Sequence, residues 1–192
     1  MEQTTRRHRR IAAVAMLAML IASMAVLAAN QAGRGATLQA TPTAGETVDL
    51  TGLVEHPAQL TVADLQLLPA QTVAVTFESG EGTQQYSYTG VRVAAVIEQA
   101  GLVLNPDQKN DQLRKYLVFT AKDGYETVIS WGEIDPNFGN APYLLAWEED
   151  GQPLTGEDGP IRLVTPGDVR GGRYVTGVIR IEVRDVDSEP RS

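Results

Sequence analysis

Residues 116–131 read Tyr-Leu-Val-Phe-Thr-Ala-Lys-Asp-Gly-Tyr-Glu-Thr-Val-Ile-Ser-Trp. The runs 116–120 and 126–131 are rich in β-branched and aromatic side chains, which are typical of strands. Asp123-Gly124 lies between the runs, and an Asp-Gly pair in that position is a strong signal for a β-hairpin. The stretch therefore predicts two adjacent antiparallel strands.

The sequence on both sides of this hairpin continues as short strands. Val73, Val75 and Phe77 alternate with other residues over positions 71–77, which predicts a half-buried strand. Residues 79–82 contain two glycines and predict a loop after it. Further strands are predicted at residues 48–54, 86–88, 143–147, 161–165 and 174–183.

Helices are few and short in this sequence. Thr61 is a suitable N-cap for a helix over residues 62–67. Apolar residues recur at helical spacing over residues 93–100, and Gly101 follows as a C-terminal cap. The predicted fold class is α+β, with a mainly antiparallel or mixed sheet and a few short helices.

The order of these segments resembles the molybdopterin-binding domain of the sulfite oxidase family. The resemblance covers residues 48–184 and implies the sulfite-oxidase-type molybdopterin-binding fold. The blocks that carry it are residues 50–54, 60–69, 88–101, 117–125, 143–148, 150–154 and 159–167, which include Tyr88-Thr89-Gly90-Val91, Asp150-Gly151-Gln152-Pro153-Leu154 and Gly159-Pro160-Ile161-Arg162-Leu163.

The resemblance also implies a position for a metal ligand. In that family, a cysteine thiolate in the loop after the early strand binds molybdenum, and the corresponding residues here are 75–82. The chain contains no cysteine, and Ser79 or its neighbour Glu78 stands in that place. A serine hydroxyl is a harder ligand than the soft thiolate. Ser79 is therefore a candidate cofactor-binding residue in a site that has lost the family's usual ligand.

The second cofactor element that the resemblance implies is a basic loop, here residues 166–177, which we call the arginine loop. Arg173 matches the family's arginine, and Arg170 adds a second cation. Thr176-Gly177 replaces the lysine-tryptophan pair that usually follows. Arg170 and Arg173 are candidates for binding the pterin phosphate or another small anion. Alternatively, they form ion pairs with nearby acids such as Asp168.

The N-terminus predicts export. Arg6, Arg7, Arg9 and Arg10 precede an uncharged apolar run over residues 11–29. This pattern is typical of a signal peptide or a membrane anchor, and the Arg pairs leave both the general and the twin-Arg export routes open. The predicted order is a signal or anchor (1–29), a flexible linker (30–46), the molybdopterin-binding-like domain (47–187) and a tail (188–192).

Export implies a periplasmic or extracellular domain, which residues 11–29 would hold at the membrane if they are not cleaved. Residues 1–29 contain four Arg and one Glu, a net charge of +3, whereas the whole chain carries −8, so the rest carries −11. Such an acidic surface argues against nucleic acid as a partner.

Two functions from different classes remain. The first is a non-catalytic module that binds a small anionic ligand or an extracytoplasmic partner protein and holds no molybdopterin. The second is a divergent molybdopterin-dependent oxidoreductase component in which Ser79 or Glu78 replaces the thiolate. We favour the first, because the thiolate and the basic lysine are both missing, and we assign no catalytic residue.

Overall fold

The computed structural model describes residues 46–156 and 158–187. The strands are β1 (Val48–Gly52), β2 (Ala58–Leu60), β3 (Ala70–Ser79), β4 (Gly82–Arg92), β5 (Lys115–Ala121), β6 (Glu126–Ser130), β7 (Leu144–Glu149), β8 (Gln152–Pro153), β9 (Arg162–Val164) and β10 (Val178–Asp185). The α-helices are α1 (Val62–Leu65), α2 (Val93–Ala100) and α3 (Trp131–Ile134), and 3-10 helices occupy Asp111–Arg114 and Gly171–Arg173.

The strands form two five-stranded sheets. The first has the order β2-β1-β10-β5-β6, and the second has the order β3-β4-β7-β8, with β9 also paired to β7. β1 and β10 are parallel, and the other pairings are antiparallel. The predicted α+β class with a mixed sheet and a few short helices is confirmed.

The main core joins both sheets to α2, which contributes Val93, Val96 and Ile97. A smaller core lies on the opposite face of the second sheet, because Leu144 and Leu145 are neighbours on β7 and therefore face opposite sides. This smaller core consists of Val75, Phe77, Tyr88, Leu144, Ala146, Val164 and Tyr174. It forms the base on which the arginine loop rests.

The region predicted as a loop at residues 79–82 is shorter in the structure. β3 continues to Ser79 and β4 begins at Gly82, so only two residues form the turn. Gly82 has a φ of +101°, which a side chain would disfavour and which allows this tight reversal. The result is a long hairpin that projects one candidate residue, Ser79, at its tip.

Several other element boundaries differ from those predicted. The strand expected over residues 126–131 ends at Ser130, because Ser130 and Glu133 form a capping box that begins α3. The strand expected over residues 174–183 begins only at Val178, after Gly177 with a φ of +57°. Thr61 caps α1 as predicted, although that helix ends at Leu65.

The apolar segment predicted at residues 11–29 lies outside the described residues, as does nearly all of the predicted linker. Within residues 46–156 and 158–187, no helix is both long and apolar enough to cross a membrane.

Gly90 provides a test of the β4–β7 register. A Cβ on Gly90 would lie 2.3 Å from the main-chain oxygen of Leu145, whereas a Cβ on Gly80 would have no heavy atom within 4 Å. We expect Gly90→Ala to lower the free energy of unfolding by about 1–3 kcal/mol, because the two strands must move apart. Gly80→Ala, the matched control, should change it little. Urea unfolding measures both, and equal stability of the two variants would contradict this register.

Candidate functional site

The arginine loop lies against the end of β3. The main-chain N–H of Glu78 donates to the oxygen of Val169 at 2.9 Å, and Glu78 and Arg170 form a parallel bridge. A Cβ on Gly171 would come within 2.8 Å of the Phe77 ring, so glycine allows the loop backbone to lie on that ring. The fold therefore brings the two candidate cofactor elements side by side.

Ser79 lies at the exposed tip of the β3–β4 hairpin. Its hydroxyl donates to the main-chain oxygen of Gly82 at 3.1 Å and accepts from the N–H of Glu81 at 3.1 Å. The neighbouring carboxylate of Glu78 accepts a hydrogen bond from the Thr83 hydroxyl at 2.7 Å. Both side chains thus hold the hairpin turn together.

Arg173 is surrounded by hydrogen-bond acceptors. Its Nε and Nη2 donate to the two carboxylate oxygens of Asp168 at 2.9 and 2.6 Å. Its Nη1 donates to Oε2 of Glu133 at 3.0 Å, and Nη2 also donates to the Tyr143 hydroxyl at 3.0 Å. The ion pair with Asp168, one of the two roles considered from the sequence, is therefore present, and a second carboxylate accompanies it.

Glu133 lies in the first turn of α3, whose N-cap is Ser130. One oxygen of Glu133 accepts the main-chain N–H of Ser130 at 3.2 Å and caps the helix. The other oxygen accepts from Arg173 and from the Tyr143 hydroxyl, which lies 3.1 Å away. The same side chain thus caps α3 and ties it to the arginine loop.

The electrostatics of this cluster favour its charged state. Burial raises the pKa of Asp168, but hydrogen bonds from Arg173 and Thr165 outweigh burial and hold the pKa below its usual value. The hydrogen bond to Asp168 is the main cause of a raised pKa for Arg173. Two carboxylates face one guanidinium, so the cluster presents no uncompensated positive charge.

Arg170 differs from Arg173 in being exposed. Within the part of the chain that the structure describes, its guanidinium has no hydrogen bond or ion pair. Its neighbour Val169 is 77% exposed. Tyr125 is exposed as well, and its hydroxyl donates to the main-chain oxygen of Gly172 at 2.7 Å. The outer surface of the loop therefore combines a cation, an aromatic ring and an aliphatic side chain.

A second polar layer lies beneath the loop. Arg162 pairs with Glu149 at 2.9 Å and lies over the Tyr88 ring, while the Tyr88 hydroxyl donates to Glu149 at 2.5 Å. The Tyr174 hydroxyl is buried without a hydrogen-bond partner among the described residues. Burial is the main cause that raises the pKa of Tyr174 to about 12, so this phenol stays protonated.

Sequence reasoning assigned no site role to Glu133 or Tyr143. Both lie at least thirty positions from Arg173 in the chain, as the separations of their hydrogen-bonded pairs record. A signal for Glu133 was present, because Ser130-x-x-Glu133 matches the capping-box pattern. That pattern indicates a helix start, and it does not identify the arginine that the glutamate also binds.

The side chains present do not fit the molybdenum cofactor that the resemblance implies. The Ser79 hydroxyl already donates and accepts within its own turn. A phosphate at Arg173 would meet Asp168 and Glu133, which carry like charge and already occupy the guanidinium.

Comparisons with known proteins agree with the fold. The family model described as "Oxidoreductase molybdopterin binding domain" matches residues 39–191. A nitrate reductase [NADH] of Ulva prolifera is 28% identical over 173 residues, which cover 74% of this chain and 19% of that protein. Nitrate reductase [NADH] 1 of Oryza sativa subsp. japonica is 30% identical over 166 residues, covering 74% of this chain and 18% of that protein.

A solved structure is similar as well. The sulfane dehydrogenase SoxCD from Paracoccus pantotrophus matches with a TM-score of 0.59 and 22% identity, covering 78% of this chain and 41% of that chain. Such a match shows the shared fold alone. The chain spans about a fifth of the length of the two nitrate reductases.

The lowered pKa of Asp168 predicts a pH-dependent contribution to stability. A carboxylate whose pKa is depressed by folding stabilises the protein above its unfolded pKa of about 3.9, and this contribution is lost as the pH falls through the lowered value. Asp168→Asn removes the pair with Arg173 at every pH. We expect the variant to be less stable than the wild type by about 1 kcal/mol at pH 7, because solvent screens this partly exposed pair.

The difference between wild type and Asp168→Asn should shrink as the pH falls from 7 to 3. Asp107→Asn is the control, because Asp107 is exposed and its side chain bonds to no described residue. Urea unfolding at both pH values measures the effect. A difference that stays constant between pH 7 and pH 3 would rule out the ion pair as its source.

Proposed function

The chain belongs to the oxidoreductase molybdopterin binding domain family, and from that membership we propose that it is a non-catalytic binding module with the family's fold, working outside the cytoplasm. Its ligand is a partner protein or a small anion, bound at the arginine loop. The observation that carries this proposal is the engagement of Arg173 by Asp168 and Glu133.

The argument rests on charge. A cofactor phosphate needs cations that are free to donate to it. The Nε, Nη1 and Nη2 groups of Arg173 already donate hydrogen bonds to two carboxylates and a tyrosine hydroxyl. Releasing it would leave Asp168 and Glu133 unpaired beside an incoming anion. The chain keeps the family's fold, but its Arg173 is not free to bind the cofactor phosphate. This combination favours a binding role over the redox chemistry of the family.

The outer surface of the loop supports a protein partner more than a small anion. Arg and Tyr are enriched at the centres of protein interfaces, where they pack with apolar side chains. Arg170, Tyr125 and the exposed Val169 supply this combination. A small anion bound here would be held by Arg170 alone. A single exposed guanidinium without a second positive charge makes a weak anion site. The partner is therefore expected to bring an acidic group to Arg170 and an apolar group to Val169.

The second candidate function is that of a divergent molybdopterin-dependent oxidoreductase component. The observation in its favour is that Ser79 and Glu78 lie at the exposed end of β3, next to the arginine loop. In this alternative, one of these oxygen ligands replaces the thiolate. The metal content of the protein separates the two functions.

The location outside the cytoplasm is proposed from the N-terminal sequence. Four arginines precede the uncharged residues 11–29. The domain is either released into the periplasm or medium, or held at the membrane by residues 11–29 if these are not removed.

We expect protein purified from its native host, grown with molybdate, to contain no stoichiometric molybdenum and no pterin fluorescence. Ser79→Cys should remain free of both, because the carboxylates at Arg173 still oppose the cofactor phosphate. Elemental analysis and fluorescence of the denatured protein measure this. Molybdenum at one atom per chain in the wild type would overturn the binding module in favour of the enzyme.

Export can be measured with a reporter. Residues 1–46 fused to an alkaline phosphatase that is active only outside the cytoplasm should give active enzyme. Leu17→Arg combined with Leu20→Arg should abolish that activity, because two charges interrupt the apolar run. A reporter that is inactive with the wild-type segment, yet produced in full amount, would contradict the proposed location.

A further inference from the structure

β3 forms an open edge of the second sheet. It is ten residues long, and its pairing with β4 runs from Ala70↔Val91 to Ser79↔Gly82 without a register shift. In the described part of the chain, no other strand flanks it along residues 70–76. It is the longest edge strand of the two sheets.

The direction of its main-chain groups follows from one hydrogen bond. The N–H of Glu78 points away from β4, because it donates to Val169 in the arginine loop. Directions alternate along a strand, so the N–H and C=O groups of other even-numbered residues also point outward. These are Ala70, Thr72, Ala74 and Thr76. Among the described residues, none of them has a main-chain partner on that side.

This edge lacks the features that proteins use to prevent strand pairing. Lysines, prolines, bulges and inward charges are the common protections. Residues 70–77 contain no charge and no proline, and their register shows no bulge. The uncharged stretch lies within residues 30–192, which carry a net charge of −11. Two copies of this acidic domain would therefore approach each other with least repulsion along this stretch.

The open stretch has two defined ends and therefore a defined centre. It begins where β3 begins, at Ala70. It ends after Thr76, because the next outward-pointing N–H, that of Glu78, already donates to Val169. Its centre is Val73. We propose that β3 pairs with β3 of a second copy, antiparallel, about a two-fold axis at Val73. In this register Ala70 lies opposite Thr76 of the second copy and Thr72 lies opposite Ala74 of the second copy, so all four outward-facing residues of each copy are paired.

A second observation supports the same pairing. Among the residues that the structure describes, Leu67 and Val169 are the two most exposed large apolar side chains, at 85% and 77%. They flank opposite ends of the open stretch, since Leu67 precedes β3 and Val169 bonds to Glu78 near its end. An antiparallel pair about Val73 brings Leu67 of one copy toward Val169 of the other, and does so twice. Both exposed side chains are then covered, so a second copy and the partner proposed for the arginine loop would compete for Val169.

The expected association is reversible. Stable interfaces bury about 1,200–2,000 Å² in total, and one strand pair with two apolar contacts lies at the low end of that range. A two-fold interface of this kind uses the same surface on both copies. The population of dimer should therefore rise with protein concentration.

The absence of cysteine makes the pairing directly testable. Val73 faces its own counterpart in a non-hydrogen-bonded pair, where Cα atoms are about 4.5 Å apart, a distance suited to a disulfide. Val73→Cys in the full chain, oxidised with diamide, should give a covalent dimer. Gln85→Cys, exposed on the next strand inward, is the control and should remain mostly monomeric.

Ala74→Lys provides a second measurement, since its ammonium would add like charges along the paired edge. It should lower the dimer fraction in sedimentation at least tenfold, whereas Ala74→Thr should preserve it; circular dichroism checks that both fold. Cross-linking of Val73→Cys no faster than of Gln85→Cys would overturn the pairing. A dimer that survives Ala74→Lys, or a wild type that stays monomeric at every concentration, would overturn it equally.

Discussion

The position of Arg173 between Asp168 and Glu133 is the constraint on which the candidate site depends. The guanidinium joins the arginine loop to α3, two segments that are far apart in the chain. The other oxygen of Glu133 accepts the main-chain N–H of Ser130 and caps α3, so both oxygens of this carboxylate are bonded within the protein. The loop is therefore held by a network whose charges balance within the protein. An external anion would have to displace a carboxylate that is already fixed in place.

Fold and recognition are separated in this domain. The main core joins both sheets to α2, whereas the smaller core under the arginine loop lies on the other face of the second sheet. Substitutions at Ser79 or at loop residues 166–173 therefore leave the main core untouched, because none of these residues belongs to it. This arrangement explains how the chain keeps the family's architecture while the thiolate and the second basic residue are lost. Identity of about 30% with nitrate reductases is then compatible with a different use of the same surface.

The fold could be predicted further than the site. Alternation at Val73, Val75 and Phe77 and the Asp123-Gly124 turn identify strands, because these signals act between neighbours in the chain. The site depends on contacts between distant residues: Arg173 meets Glu133 across forty positions. Local patterns carry no information about such a pairing. Asp168 lies only five positions from Arg173, yet the sequence left two roles open for that arginine, because Glu133, its second carboxylate partner, is distant in the chain.

The same loop determines where the edge of the second sheet ends. Val169 bonds to Glu78 because the loop lies on Phe77, and Arg173 fixes the loop from its far side. If the ion pairs at Arg173 opened, the loop could leave Glu78, and the open stretch of β3 would lengthen past Thr76. The centre of symmetry at Val73 would then no longer coincide with the centre of the free edge. The network that opposes an anion at the site thus also sets the register available to a second copy.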